Sequence, residues 1–255
     1  MRAIIIGAGR GMRLLHHTEE LPKTMVEVMG RPMLDWIVEA LAGAGIRPRD
    51  IVFVGGYAQQ VVERRYPEFT FVTNHDWPHN NILLSLLCAR QHLSGGFLST
   101  YADIVYDAAI VKKLMESPEA ITLGCDTVWR RRYVSRSQHP ESDAEKLRAT
   151  QSRVTQISRR IPSEQASGEF IGVMKLNASG AETLLSHFDA AAARYAGGEF
   201  REGRSWQKAY LIDLLQHMLE AGVEMHRENT RGAYMEIDTV EDLSLAEDWW
   251  RSRPE

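Results

Sequence analysis

Ile4-Ile-Ile-Gly-Ala-Gly-Arg-Gly-Met-Arg-Leu14, with Leu21-Pro-Lys23 shortly after it, is the stretch from which the rest of the chain is read. The apolar, β-branched run Ile4 to Ile6 ending in glycines predicts a buried strand, and the glycines let the backbone that follows approach a phosphate and aim N–H groups at it. Two familiar phosphate loops do not fit. A dinucleotide fingerprint needs glycine where Met12 stands and a helix opening at once, but Pro22 interrupts the next segment; a P-loop needs Gly-Lys-Ser/Thr, which is absent. What remains is a glycine loop with two cations at fixed offsets, Arg13 and Lys23.

Outward from this loop, strands and helices alternate. Helices are predicted over Met33 to Ala44, Ala58 to Arg65 and Ala108 to Met115. Strands are predicted over Ile51 to Val54, Phe69 to Thr73, Phe97 to Thr100 and Ala120 to Gly124. Asn80 offers an N-cap to an amphipathic helix carrying Ile82, Leu83, Leu86, Leu87 and Leu93. This rhythm predicts a mostly parallel sheet covered on both faces. From Thr127 to Gln165 the chain turns polar and arginine-rich without a proline/glycine linker. Residues 127–165 are therefore expected to form a lid-like insertion within a single domain spanning 1–255, with Val154 to Arg160 pairing Phe170 to Lys175. Helices over Ala178 to Ala196 and Trp206 to Ala221, strands near Val223 to His226 and Tyr234 to Ile237, and a helix from Val240 to Arg251 complete the pattern; Trp249 and Trp250 are expected to pack in the core.

The 255 residues carry 34 acidic and 30 basic side chains, a net charge of −4, and 44% hydrophobic residues. Such a composition excludes a disordered tail or a rod, and with no basic run it predicts neither a nucleic-acid nor a membrane partner. Cys88 and Cys125 lack disulfide or zinc spacing, and Ala3 to Ile6 is too short an apolar run for a signal core, so a cytoplasmic, reducing setting is expected.

The glycine loop with Leu21-Pro-Lys23 resembles the signature of the nucleotidyltransferases that activate sugar phosphates and choline phosphate, with Gly7 in place of a usual alanine. Gly168-Glu-Phe-Ile-Gly172, Tyr210-Leu-Ile-Asp213-Leu-Leu and Glu236-Ile-Asp238-Thr-Val-Glu-Asp-Leu243 are similar to later motifs of that family. Asn80-Asn81-Ile-Leu-Leu-Ser85-Leu, Asp126-Thr-Val-Trp129 and Ala144-Glu-Lys146 most resemble its choline-phosphate and phosphonate cytidylyltransferase branch. The resemblance implies an α/β, Rossmann-like three-layer α/β/α mixed sheet of the nucleotide-diphospho-sugar transferase type. It further implies transfer of CMP from CTP to a small phosphate or phosphonate acceptor with release of pyrophosphate.

In such a reaction the attacking group, whose second pKa is about 6, is already largely a dianion at neutral pH. No general base is needed, and positioning and charge neutralisation must carry the rate. By resemblance Arg13 would hold the leaving phosphates and Lys23 would reach the α-phosphate and the acceptor. Gly7, Ala8, Gly9, Arg10, Gly11 and Met12 would line the nucleotide site. Solvated surface charge is the ordinary alternative for any single arginine or lysine. Asp103 follows a parallel strand at the end where open α/β sheets place ligands, and Glu236 and Asp238, two apart, share a face of a strand. Three carboxylates converging on phosphate would suit Mg²⁺; equally, Asp103 or Asp238 could cap a helix, since Asp238-Thr-Val-Glu241 reads as a capping box.

Asn81 and Ser85, four apart on a helix, are expected to read the base, with backbone near Gly56 and Ala102; as helix-start residues they would do nothing of the kind. Trp129, Trp206 and Tyr210 with Glu169 and Asp213 would suit an ammonium-bearing acceptor through cation–π and ion-pair contacts, although most aromatics are core residues. Arg136 and His139 offer another way to hold an acceptor's phosphate or hydroxyls. A sugar-1-phosphate or cyclitol-phosphate transferase using UTP, GTP or dTTP is the rival reading, and a homodimer is allowed.

Overall fold

Strand β1 (Arg2–Ile6) shows why the opening stretch organises the molecule. Its side chains alternate between two separate apolar cores: Ile4 and Ile6 enter one, Ala3 and Ile5 the other. A strand buried on both faces belongs in the middle of a sheet. In this computed structural model, which describes residues 1–252 apart from the side chains of Trp249, Trp250 and Ser252, β1 lies between two parallel neighbours. The expectation for Trp249 and Trp250 falls outside the described side chains.

The chain continues through a small ribbon, β2 (Glu27–Val28) and β3 (Arg31–Pro32), and then α1 (Met33–Gly43), β4 (Ile51–Gly55), α2 (Gln59–Arg65), β5 (Thr70–Thr73) and α3 (Ile82–Cys88). Next come β6 (Gly96–Tyr101), β7 (Ile104–Tyr106), α4 (Ala108–Glu116) and β8 (Ile121–Asp126). The sheet runs β5-β4-β1-β6 in parallel, and the β1 and β4 ladder pairs Ile4 with Val52 and Ile6 with Val54. Leu34, Ile37, Leu41, Ile110 and Leu114 from α1 and α4 pack one face, Leu83 and Leu86 from α3 the other. Each such fully buried aliphatic side chain contributes roughly 1.5–3 kcal/mol, so the strand that ends in the glycine loop is among the most firmly held parts of the chain.

Beyond β8 come the one-turn helix α5 (Arg130–Tyr133) and the hairpin β9 (Lys146–Thr150) and β10 (Arg153–Ile157). After β11 (Gly168–Asn177) follow α6 (Ala178–Tyr195), α7 (Leu211–Glu220), β12 (His226–Thr230), β13 (Tyr234–Glu236) and α8 (Val240–Ser252). Strand β11 inserts antiparallel between β6 and β8, and the sheet continues β8-β12-β10-β9. The sheet is therefore mixed, with its parallel half preceding the insertion.

The expected pairing of Val154 to Arg160 with Phe170 to Lys175 is not the one observed. Strand β10 pairs with β9 and touches β12, and it is β9 that meets β11, through Leu147–Gly168 and Lys146–Glu169. A tight turn at Gln151 and Ser152 makes β9 and β10 a hairpin, and β11 shows a register shift against β8 between Phe170 and Met174. There Gly172 has φ +74°, and a Cβ on it would sit 2.5 Å from the Tyr101 ring, so glycine alone fits this irregularity of the strand while Tyr101 closes over it. The helix after Asn81 also stops at Cys88, with Leu93 beyond a 3₁₀ turn, and the segment before α7 is a separate 3₁₀ turn at Trp206–Lys208. Among the described residues no helix is long and apolar enough to cross a membrane.

Candidate active site

The glycine loop leaves β1 with the Gly7 N–H donating to the Val54 carbonyl (2.9 Å) and the Tyr57 N–H donating to the Ala8 carbonyl (3.0 Å). Gly11 adopts φ +75°, and a Cβ on it would lie 2.8 Å from the Lys23 side chain. The loop can thus turn left-handed and let the lysine stem pass directly over it. Thr18, fully buried, donates its hydroxyl to the Gly11 carbonyl (3.1 Å), while the Arg10 Nε donates to the Thr18 carbonyl (3.2 Å). Sequence reading overlooked Thr18 because a lone threonine in a polar stretch carries no signal of burial. Met12 is 74% exposed and Arg13 about half exposed, so both lie on the rim.

Lys23 reaches the centre. Its Nζ donates to Asp103 Oδ2 (2.7 Å) and to Asp238 Oδ1, and Arg13 donates to the other oxygen of Asp238 while standing 3.7 Å from Asp143. Tertiary pairing assembles this set: β13 lies antiparallel to β7 with Glu236 opposite Ile104, and the Ile237 N–H donates to the Asp103 carbonyl (2.9 Å). Ile237 points into a core with Leu14, Val26 and Met33, so its neighbours Glu236 and Asp238 face the opposite way, into the site.

The capping box at the start of α8 is shifted by one residue from expectation. Asp242 accepts from the N–H groups of Asp238 (3.0 Å) and Thr239 (2.9 Å), and its own N–H donates to the Thr239 hydroxyl (3.1 Å). Thr239 is the cap, which frees the Asp238 carboxylate. Glu241 instead accepts from Ser137 and Gln138 of the insertion.

Charge at this centre is uneven. Burial pushes the Lys23 pKa down, but Asp103 and Asp238 outweigh it and raise the ammonium above its ordinary value. Burial raises Asp238, yet Lys23 and Arg13 hold it well below the usual carboxylate range. Glu236 is driven well above that range by burial and by the like charges of Asp238, Asp103 and Glu169. The buried Oδ1 of Asp103 has no hydrogen-bond partner among the described residues. An acidic excess with an orphaned carboxylate oxygen fits a hard divalent cation, and Asp103, Glu236 and Asp238 are the oxygen donors that would hold it.

His139, Glu236 and Asp238 also offer ligand atoms within 4.8 Å of one another. His139 is tied from behind, Nδ1 standing 3.3 Å from Asp242 and Nε2 3.6 Å from Glu236. Arg136 is buried, its Nε 2.9 Å from Asp242 and its Nη2 donating to the Glu236 carbonyl (2.6 Å). Both residues therefore brace the carboxylates, contrary to their alternative reading as acceptor ligands.

A cleft of about 250 Å³ opens beside Lys23 and Asp103, lined by Gly7, Ala8, Gly9, Gly11, Ala102, Asn81, Ser85 and Trp77. Gly56 stands behind it, against the Ala8 carbonyl and Trp77. Asn81, not Asn80, caps α3, accepting from the Ile82 N–H (2.8 Å), and its amide reaches the Lys208 carbonyl (3.3 Å). Asn74, buried and unmarked in sequence, donates to Asn80 (2.8 Å) and Ser85 (2.9 Å), so Ser85 enters the wall already bonded.

The five expected acceptor residues divide. Trp206 packs against Phe188 and Phe200 inside the core, 5% exposed, which removes its ring face from any acceptor. Trp129 is buried beside Tyr133. Glu169 is held by Arg132 and the Tyr133 hydroxyl (2.5 Å), with Arg132 also bound to Asp126. Asp213 accepts from Arg204 (2.7 Å) and from the Tyr210 N–H (2.8 Å). Tyr210 alone remains partly open, between the guanidinium groups of Arg159 and Arg204, 4.1 and 4.6 Å from its ring centre.

An α/β sheet that ends its central strand in a glycine loop, with a lysine held between two carboxylates beside a nucleoside-sized cleft, defines a nucleotidyltransferase. Residues 3–159 match the MobA-like NTP transferase domain, and the chain belongs to that family. It is 26% identical to the CTP:phosphoglutamine cytidylyltransferase of Campylobacter jejuni subsp. jejuni over 96% of this chain and 98% of that one. It is 35% identical to the 2-aminoethylphosphonate cytidylyltransferase of Lancefieldella rimae over 37% of this chain and 39% of that one. In fold it is similar to the solved CTP:phosphocholine cytidylyltransferase of Streptococcus pneumoniae, with a TM-score of 0.73, 22% identity and 97% of each chain covered.

Proposed function

We propose that the chain transfers CMP from CTP to a small acceptor bearing a phosphate or phosphonate. An acceptor oxygen forms a bond to the α-phosphorus as the α–β phosphoanhydride bond breaks, and pyrophosphate leaves. The observation that carries this reading is Lys23, buried between Asp103 and Asp238 at the edge of the cleft under the glycine loop.

Exchanging its carboxylate partners for phosphate oxygens keeps the ammonium paired throughout and lets it neutralise charge between two mutually repelling anions. Arg13, on the rim with its guanidinium half exposed, is free to follow the leaving phosphates. The loop backbone seats the nucleotide, and Asn81 and Ser85 face the base from the cleft wall. A divalent cation, Mg²⁺ by its preference for oxygen, would neutralise phosphate charge when held by Asp103, Glu236 and Asp238. Residues 127–165 serve as a lid within one domain: Ser137 and Gln138 dock on Glu241, and Asp143 faces Arg13.

Support for CTP comes from the cytidylyltransferase relatives, of which the first spans this chain almost end to end. A panel of triphosphates with pyrophosphate readout tests it. Release with CTP and an acceptor is expected; release with UTP, GTP or dTTP and a sugar phosphate, and none with CTP, replaces it with the rival reading.

A further inference from the structure

One side chain of the cleft wall takes no part in the transfer chemistry: Trp77, which lines the cavity together with Ala8, Asn80, Asn81 and Ser85 and is partly exposed. Three supports hold its indole in place. Gly56 leaves room for it, since a Cβ there would stand 2.8 Å from the Trp77 ring and 2.7 Å from the Ala8 carbonyl. Tyr57 meets the indole edge to face, with ring centres 5.5 Å apart, and is itself fixed by its N–H on the Ala8 carbonyl (3.0 Å) and its hydroxyl on the Glu19 carbonyl. The loop that carries Trp77 is closed by hydrogen bonds: the Asp76 carbonyl accepts from the His79 and Asn80 N–H groups (2.9 and 3.1 Å), and Lys208 Nζ donates to the Pro78 carbonyl (3.2 Å).

The polar side chains around it are mostly engaged with one another. Asn74 spends both amide hydrogens, on Asn80 (2.8 Å) and Ser85 (2.9 Å), and its carbonyl oxygen accepts from Asn80 (3.0 Å) and from the Asp76 N–H (3.1 Å). Asn81 caps α3 and reaches across to the Lys208 carbonyl. A wall whose amides are committed has little left to grip a base by its edge. A rigid indole can take the face of a base without breaking a hydrogen bond and with little loss of rotamer freedom.

We infer that Trp77 is the stacking platform for the nucleobase of the bound triphosphate. The inference rests on the proposed transfer and adds to it the residue that holds the base by its face, across a cleft whose other side carries Lys23 and Asp103 for the phosphates. Base–aromatic stacking tolerates any base, so Trp77 sets how tightly the nucleotide is held and not which one is chosen.

Calorimetry and intrinsic fluorescence with CTP and Mg²⁺ test it on the whole chain. Trp77→Ala should weaken CTP binding roughly five- to hundredfold, the range for losing one base–aromatic stack. Trp77→Phe, which keeps a ring, should recover most of that loss, and Trp77→Leu, which keeps apolar bulk without a π face, little of it. CTP should quench the tryptophan fluorescence of the parent, and Trp77→Phe should bind CTP with most of that quench gone. Melting temperatures check the fold of each variant; if Trp77→Ala does not fold, the comparison of Trp77→Phe with Trp77→Leu and the quench decide. Unchanged affinity in Trp77→Ala, Trp77→Leu binding as tightly as Trp77→Phe, a parent without a quench, or a quench that survives in Trp77→Phe would each overturn the inference. Any of these in a parent that binds CTP leaves the CTP reading standing without the stack; a parent that binds no CTP sinks that reading itself.

Discussion

Lys23 shows how much one residue's environment decides. Replacing it with alanine removes the ammonium from two part-buried carboxylates and, on the proposed chemistry, from the reacting phosphates, so turnover should fall roughly 100-fold or more, read as pyrophosphate release at saturating CTP. Stability responds with a defined sign. Lys23 and Arg13 hold Asp238 below its ordinary 3.8, so the stability this pairing contributes is present above that value and is lost as pH falls through the lower, folded-state value. Thermal melts of Lys23→Ala should therefore lie furthest below the parent near neutral pH and approach it in acid. Glu145 runs the other way. Burial, opposed by Arg159 and Tyr101 and aided by Asp213, pushes its carboxyl from 4.5 up to about 7. Between those values the folded protein keeps a proton that the unfolded chain has released, so a destabilising contribution grows as pH rises and is complete above about 7. Glu145→Gln should gain melting temperature relative to the parent between pH 5 and pH 8; a difference that stays flat would show that Glu145 is ionised throughout.

At the level of elements, short pieces do the positioning. The ribbon of β7 and β13 brings Asp103 beside Glu236 and Asp238 although they are far apart in sequence, and the Thr239 cap fixes the turn that follows. Thr239→Ala should cost about 1 kcal/mol in urea unfolding, and because the Asp238 N–H shares the Asp242 carboxylate, kcat should fall as well. Gly172→Ala places a methyl against the Tyr101 ring at a left-handed position. It should cost about 1–3 kcal/mol; unchanged stability would mean that β11 tolerates a side chain at this irregularity.

For the molecule as a whole, residues 127–165 belong both to the sheet, through β9 and β10, and to the site. Residues 127–165 supply Arg136 and His139 behind the carboxylates, Asp143 beside Arg13, and the pair Glu145 and Arg159. Hydrogen exchange across 127–165 should slow when CTP, Mg²⁺ and an acceptor are bound together, and more than with CTP alone. Equal protection in the two states would assign the segment a fixed scaffold role in place of a lid.

Local patterns were legible in the chain itself. The alternation of β1 and the glycines after it marked an inner strand and a tight loop, since a two-faced strand and a loop needing close backbone approach each leave a composition signature within a few residues. Arg13, Lys23, Asp103, Glu236 and Asp238 stood out as candidates by their offsets and by family resemblance; that they meet is seen only in the folded chain. Partner choice was not. Whether Asp238 caps or faces the site depended on a one-residue shift to Thr239 and Asp242, and β10 met β9 across the tight turn at Gln151 and Ser152. Trp206 and Tyr210 look alike as aromatic residues of one segment, yet one is core and the other lies open between two arginines. Residue type and spacing act within a turn or a strand, whereas burial, ion pairing and orphaned polar atoms arise only when distant segments compete for the same space. The ion pairing of Glu145, Arg159 and His139 therefore belonged to the tertiary structure alone.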